Sequence, residues 1–179
     1  PGYRGVLISK KGTKYTSIKS LKGSIVGLTD PGSTSGNLMP RVAFTKVIGM
    51  ELEKFFDKVV YTGSHELSTV AVVQGKVDAA FVASHRFDNV VNKGQATLEG
   101  VNVLWQSDPI PQDPFVYRST LCSDIKAKIR ETFLDLKGKP GSKQFLDNVK
   151  SNTFVEMSSD DYNIIRDLKK AKDERKKSS

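Results

Sequence analysis

The sequence predicts an α/β fold in which one sheet carries helices on both faces. Two patterns predict it: short apolar, β-branched runs alternate with segments of helical spacing, and serine, threonine or glycine marks most passages from run to helix. Size bounds the picture. With 179 residues, 37% hydrophobic and 27% charged, the chain suffices for one large domain or two small lobes.

Tyr3-Arg4-Gly5-Val6-Leu7-Ile8 reads as a strand, and Ser24-Ile25-Val26-Gly27-Leu28 as a short buried one. A glycine- and hydroxyl-rich loop, Asp30-Pro31-Gly32-Ser33-Thr34-Ser35-Gly36, then opens onto a helix. That helix carries Leu38, Met39, Val42, Ala43, Val47 and Ile48 at helical spacing, tolerates Pro40 near its first turn and stops at Gly49. Lys58-Val59-Val60-Tyr61 is the next strand. Gly63-Ser64 leads into a helix with Leu67, Val70 and Ala71 inward and Gly75 as its stop.

Val77-Asp78-Ala79-Ala80-Phe81-Val82 is another strand, followed by a helix from Ser84 to about Lys93; Val101 to Trp105 is the last strand. Beyond it the pattern turns helical. Ser123 starts a helix with Ile125, Ile129, Phe133 and Leu136 inward, Ser142 one with Phe145, Leu146 and Val149, and Ser158 one with Tyr162, Ile165 and Leu168 that runs to about Arg175.

Charge and composition exclude several functions. Net charge is +8, but the tail from Lys169 onward holds +4 of it: Lys169, Lys170, Lys172, Arg175, Lys176 and Lys177 against Asp173 and Glu174. The body lacks a basic stripe interleaved with aromatics, so no nucleic-acid partner is expected. Cys122 is the only cysteine, which leaves no internal disulfide, and with only His65 and His85 as histidines no metal-ligand spacing arises. No cofactor motif is present. No apolar run reaches the ~18 residues of a bilayer span. No signal peptide is visible, and the chain begins at Pro1 rather than Met.

The chemistry concentrates where strands give way to helices. Ser33-Thr34-Ser35-Gly36 follows one strand, Gly63-Ser64-His65 the next, and Ser84-His85 a third. In an open α/β sheet these positions lie at the carboxyl ends of the strands, where ligands bind. Each helix start offers free backbone N–H groups and the positive end of a dipole, a combination suited to an anion. A lone serine there is ordinarily an N-cap, which is the plainer reading of Ser64 and Ser84. Three consecutive hydroxyls exceed what one cap needs. No lysine follows Gly36, so this is not a nucleotide-binding phosphate loop, and a small anion fits better. Ser33, His65 and Asp78 could be assembled into a nucleophilic triad, but no Gly-x-Ser-x-Gly elbow exists and Asp78 sits at a strand start. No catalytic residue is assigned.

These motifs resemble those of the substrate-binding proteins of phosphonate and phosphite ABC importers, a branch of the type II periplasmic binding proteins. The stretches that carry the likeness are Gly2-Tyr3 with Val6-Leu7-Ile8, Ile18 to Gly23, Asp30 to Gly36 with Leu38 and Pro40, Tyr61 to His65, Gly75 to Ala80, and Trp105 to Pro114 with its Ile-Pro-x-Asp-Pro signature. The helical end from Asp161-Tyr162 to Leu168 fits as well. The resemblance implies that Ser33, Thr34 and Ser35 hold phosphoryl oxygens, that His65 donates to the same oxygens, and that Tyr3 lines the cleft. It also implies that Asp113 faces the ligand, where a carboxylate would select a P–OH or an amine over a fully accepting anion such as sulfate. Where aminoalkylphosphonate binders of the family place an acidic residue, this chain has His85, so a ligand without an amine is expected: phosphite, a methylphosphonate-like compound or phosphate.

The resemblance further implies a division into a hinge strand at residues 1–8, a complete α/β lobe two at 9–105, and a crossover with C-terminal helices of lobe one at 106–179. Family members are larger, so lobe one would lack its N-terminal part. The expected function is capture of a small phosphorus oxyanion for an ABC permease, without bond chemistry; the alternative is an anion-sensing regulatory domain of the same fold. The expected place is the periplasm or the outer surface as a lipoprotein, touching a membrane only through the permease or a lipid anchor outside this chain.

Overall fold

The computed structural model describes residues 2–177, the side chains of 175–177 excepted, so Arg175, Lys176 and Lys177 of the basic tail lie outside the described side chains. Five strands form one mixed sheet in the order β3-β2-β4-β1-β5. They are β1 (Gly5–Lys10), β2 (Ile25–Leu28), β3 (Lys58–Tyr61), β4 (Ala79–Ala83) and β5 (Val101–Gln106). β2 runs parallel to both β3 and β4, whereas β1 is antiparallel to β4 and to β5, with Gly5 opposite Ala83. The carboxyl ends of β2, β3 and β4 therefore share an edge with the amino end of β1.

Period-two alternation sorts the strand residues onto two cores. Leu7, Val26, Leu28, Ala79 and Phe81 face one side, with Phe44, Leu52, Phe55 and Phe56 packed over them. Val6, Ile8, Ala80 and Val82 face the other, beneath Val72, Phe87 and Val101. Helices thus cover both faces, as expected. The first core is centred on Phe44, whose ring meets Phe81 and Trp105 edge-on at centroid distances of 5.0 and 5.4 Å.

The helices are α1 (Thr45–Ile48), α2 (Leu52–Phe55), α3 (His65–Val73), α4 (Ser84–Asn92), α5 (Ser123–Leu134), α6 (Ser142–Asn148) and α7 (Asn163–Lys177). α2 has no counterpart in the sequence reading, being a single turn too short to show a period. α3 differs from expectation in its buried face: Leu67 is 56% exposed, while Ser68, Thr69 and Val72 are buried. Burial is tolerable there because the hydroxyls are satisfied: Thr69 Oγ1 donates to the His65 carbonyl at 2.9 Å, and Ser68 Oγ lies 2.5 Å from Thr62 Oγ1.

The chain divides into two compact units, residues 1–112 with 162–179, and residues 113–161. In the first, Leu168 of α7 packs with Met39, Val42 and Ile110. This division differs from the expected 1–8, 9–105 and 106–179: β1 is a central strand of the sheet, and α7 joins the first unit through that apolar contact. In the second unit the expected inward row of α5 is not buried; Ile125 is 49% exposed. Its order comes from an aromatic cluster in which Phe115, Phe133 and Phe154 approach with centroids 5.0 to 5.3 Å apart, and from an Arg130–Glu156 ion pair.

Candidate functional site

The loop after β2 is built by one glycine and one proline. From residue 34 the chain enters a helix widened to π geometry over Thr34–Leu38 and Pro40–Phe44, continuing as α1. Leu38 N–H donates to the Ser33 carbonyl, a five-residue step. Pro40 has no N–H, so the Gly36 carbonyl four residues back lacks its α-helical donor and accepts instead from Thr29 N–H at 3.1 Å. That bond pulls the helix start against the end of β2. A Cβ on residue 36 would stand 1.8 Å from Thr29 Oγ1, so only glycine fits. Thr29 Oγ1 itself is buried and has no hydrogen-bond partner among the described residues.

Ser33 is the N-cap, its Oγ accepting from Gly36 N–H at 3.0 Å. Thr34 and Ser35 are not needed for that task. Ser35 is buried, its carbonyl and Cβ within 3.1 and 3.5 Å of where a side chain on Gly5 would begin. The three consecutive hydroxyls thus divide into one cap and two with no hydrogen-bond partner among the described residues.

The strand ends then tie the other helix starts to this loop. Gly63 N–H donates to the Thr29 carbonyl at 2.8 Å, and Gly63 takes φ +100° to swing the chain into Ser64, which caps α3 by accepting from Leu67 N–H. His65 follows as the first residue of α3. Its Nδ1 accepts from Ala83 N–H at 3.0 Å, so the ring proton sits on Nε2. Burial is the main cause that pushes the His65 pKa down to about 4. Arg86 and His85 lower it further, while Glu66 and Asp30 work in the opposite direction. The imidazole is therefore neutral near pH 7 and offers an Nε2–H donor.

Ser84 does not cap α4; Ala83 occupies the cap position, and Ser84 Oγ accepts from Arg4 N–H at 3.1 Å. His85, one residue on, meets the Tyr3 ring edge-on at 4.6 Å. Tyr3 is held in turn by a two-bond bridge to Ile110, with N···O distances of 2.9 and 2.7 Å. Ser33, Thr34, Ser35, His65, His85 and Tyr3 accordingly all belong to the shared edge of the sheet. Asp113 opens the second unit and is exposed. Among the described residues no group of three metal-binding side chains occurs, and no helix is long and apolar enough to cross a membrane.

Sequence reasoning missed two contributors. One is the Ala83 amide that sets the His65 tautomer. The other is Asn37, which is 1% exposed and whose Nδ2 donates to the Pro31 carbonyl at 2.8 Å. The spacing of Gly36 and Pro40, four residues apart, was the available signal that this helix start departs from α geometry.

Comparison with known proteins gives both the class, the type II periplasmic binding proteins, and the family. The profile of the periplasmic phosphonate substrate-binding protein of ABC transporters matches residues 1–162, and the chain belongs to that family. It is 30% identical over 153 residues to the phosphonates-binding periplasmic protein of Escherichia coli, covering 83% of this chain and 45% of that protein. A phosphate-import protein of Mycolicibacterium smegmatis is 26% identical over 140 residues, covering 74% and 44%. The chain spans about half the length of these relatives. Among solved structures, a binding protein component of an ABC phosphonate transporter from Pseudomonas aeruginosa matches with a TM-score of 0.80 at 28% identity, over 94% of this chain and 57% of that one. PhnD1 from Prochlorococcus marinus, solved with methylphosphonate, shares the fold with a TM-score of 0.79 at 23% identity, over 93% and 65%.

Proposed function

We propose that this chain is part of the solute-binding component of an ABC importer, capturing a small phosphorus oxyanion and passing it to a permease without bond chemistry. The family supports the job, because the relatives named above are substrate-binding or import proteins. The observation that carries the ligand class is His65: its Nδ1 is engaged by Ala83 N–H, so a neutral Nε2–H donor remains on the same sheet edge as the Ser33-Thr34-Ser35 hydroxyls. In this reading Thr34, Ser35 and the helix-start amides hold the phosphoryl oxygens, Ser33 caps and donates, and Tyr3 with His85 forms the wall beside them. The protein works in the periplasm or as a lipoprotein on the outer surface.

In this reading His85 stands where aminoalkylphosphonate binders of the family place an acidic residue for the ammonium group, so the ligand lacks an amine: phosphite, methylphosphonate or phosphate. Calorimetric titration of the complete natural protein with these three, with sulfate and with an aminoalkylphosphonate tests the reading. Binding of at least one phosphorus oxyanion, with sulfate and the amine-bearing compound weaker, is expected. Silence toward every phosphorus ligand would overturn it, and a preference for the aminoalkyl compound would overturn the role given to His85.

A further inference from the structure

We propose that Asn37 is the positioning residue of the oxyanion loop at residues 30–36, orienting it through a relay that reaches Glu53; this rests on the loop being the ligand site. Asn37 lies just beyond the loop, in the first π turn, and is almost fully buried. Its Oδ1 accepts from Arg41 Nε at 2.9 Å and from Tyr61 Oη at 3.0 Å. Arginine can only donate, so the amide cannot flip: the carbonyl end must face Arg41 and the NH₂ end must face the loop. There it donates to the Pro31 carbonyl at 2.8 Å.

Arg41 is anchored in its turn by Glu53 Oε1 at 2.7 Å, and Tyr61 is the last residue of β3. One buried amide thus links the loop to α2 and to the sheet edge. Within the loop, Asp30 Oδ1 accepts from Gly32 N–H at 2.8 Å. That turn and the Ser33 cap brace the loop from inside, whereas Asn37 braces it from outside. No polar atom of Asn37 other than a second N–H remains for a ligand, so its effect on binding passes through the loop.

Asn37→Asp separates the two ends of this side chain. A carboxylate keeps the bonds from Arg41 and Tyr61 but sets an oxygen against the Pro31 carbonyl. In the complete natural protein without ligand, hydrogen exchange at the bonded loop amides of Gly32, Ser33 and Gly36 is expected to quicken about tenfold, the scale of one buried hydrogen bond. Exchange in β2 should stay unchanged. Tyr61→Phe removes one of the two donors from a half-exposed residue, so it folds safely, and is expected to quicken the same amides by about two- to threefold. Titrated with phosphite and with methylphosphonate, Asn37→Asp should weaken both by the same factor, as a disturbance at the shared oxygens requires.

Unchanged loop exchange in both variants would overturn the proposal, as would a quickening spread equally over β2, which would mark Asn37 as merely structural. Selective loop loosening in a protein whose wild type binds no phosphorus oxyanion would sustain the positioning of the loop and bring down the ligand reading alone.

Discussion

His65 and Thr34 carry the most direct tests at the scale of single residues. With its pKa near 4, His65 is neutral across pH 5–8 in the ligand-free protein, which therefore contributes no imidazole step of its own to the pH profile of ligand affinity there. The pH dependence of binding should follow the second ionisation of the ligand instead; a step near pH 6.5 that vanishes in His65→Gln would show the imidazole charged. Stability has a definite sign. The unfolded imidazole takes up a proton near pH 6.5 while the folded one does so only near 4, so folding is unpenalised above ~6.5 and weakens as pH falls from there toward 4. After discounting for the water that still reaches the ring, the loss is on the order of 1–2 kcal/mol, and acid unfolding of His65→Gln against the wild type measures it. Thr34→Val is a cleaner probe of binding than Ser33→Ala, because Ser33 also accepts from Gly36 N–H and its loss costs a cap. Thr34→Val should weaken ligand binding by ~1.5–3 kcal/mol with little change in melting temperature; calorimetry and a thermal melt together decide it. Thr29→Val, which removes a buried hydroxyl without a partner, should leave stability equal or slightly raised.

Among the elements, the widened helix start is where local chemistry and function meet. Pro40→Ala would return an N–H to position 40, which then competes with Thr29 N–H for the Gly36 carbonyl. The helix gains propensity, so the expected result is a protein at least as thermostable as the wild type whose ligand affinity is nonetheless reduced, by ~1 kcal/mol. Unchanged affinity would separate the π geometry from binding. This element also shows what a sequence can and cannot disclose. β1, β2 and β4 were legible because short apolar runs such as Val6-Leu7-Ile8, Ile25-Val26 and Ala79-Ala80-Phe81-Val82 are a property of consecutive positions. The cap role of Ser64 was legible for the same reason, whereas which of Ser33, Thr34 and Ser35 caps the first helix was not. The inward face of α3 was not, since burial of Ser68 and Thr69 depends on Thr62 and on the His65 carbonyl, which lie outside any period. Ser84 was read as a cap, yet it answers Arg4 from 80 residues away. The Nδ1 engagement of His65 by Ala83 is likewise a tertiary fact, so the residue was nameable in advance while its protonation was not.

For the molecule as a whole, the two compact units differ in how they are held, and this sets an expectation for their dynamics. In the unit of residues 1–112 and 162–179, Leu7, Ile8, Phe44 and Phe81 are fully buried on opposite faces of a sheet hydrogen-bonded on both sides of β1, β2 and β4. Truncating Phe81 to Ala there should cost ~3–5 kcal/mol, since it empties a fully buried position and removes edge-on contacts with both Phe44 and Trp105. The unit of residues 113–161 is stabilised differently. Apart from Leu146 and Ser142 its side chains keep contact with water, and Phe115, Val116, Ile125 and Val155 stand exposed. Apolar burial scales stability, so local opening of α5 and α6 should be far easier than opening of the sheet. Native-state hydrogen exchange of this chain is the measurement: β1, β2 and β4 amides should exchange only with global unfolding, and the amides of α5 and α6 at least ~100-fold faster. Equal protection in both would mean that α5 and α6 open only together with the sheet, and that the apolar side chains exposed along residues 113–161 place no limit on their stability.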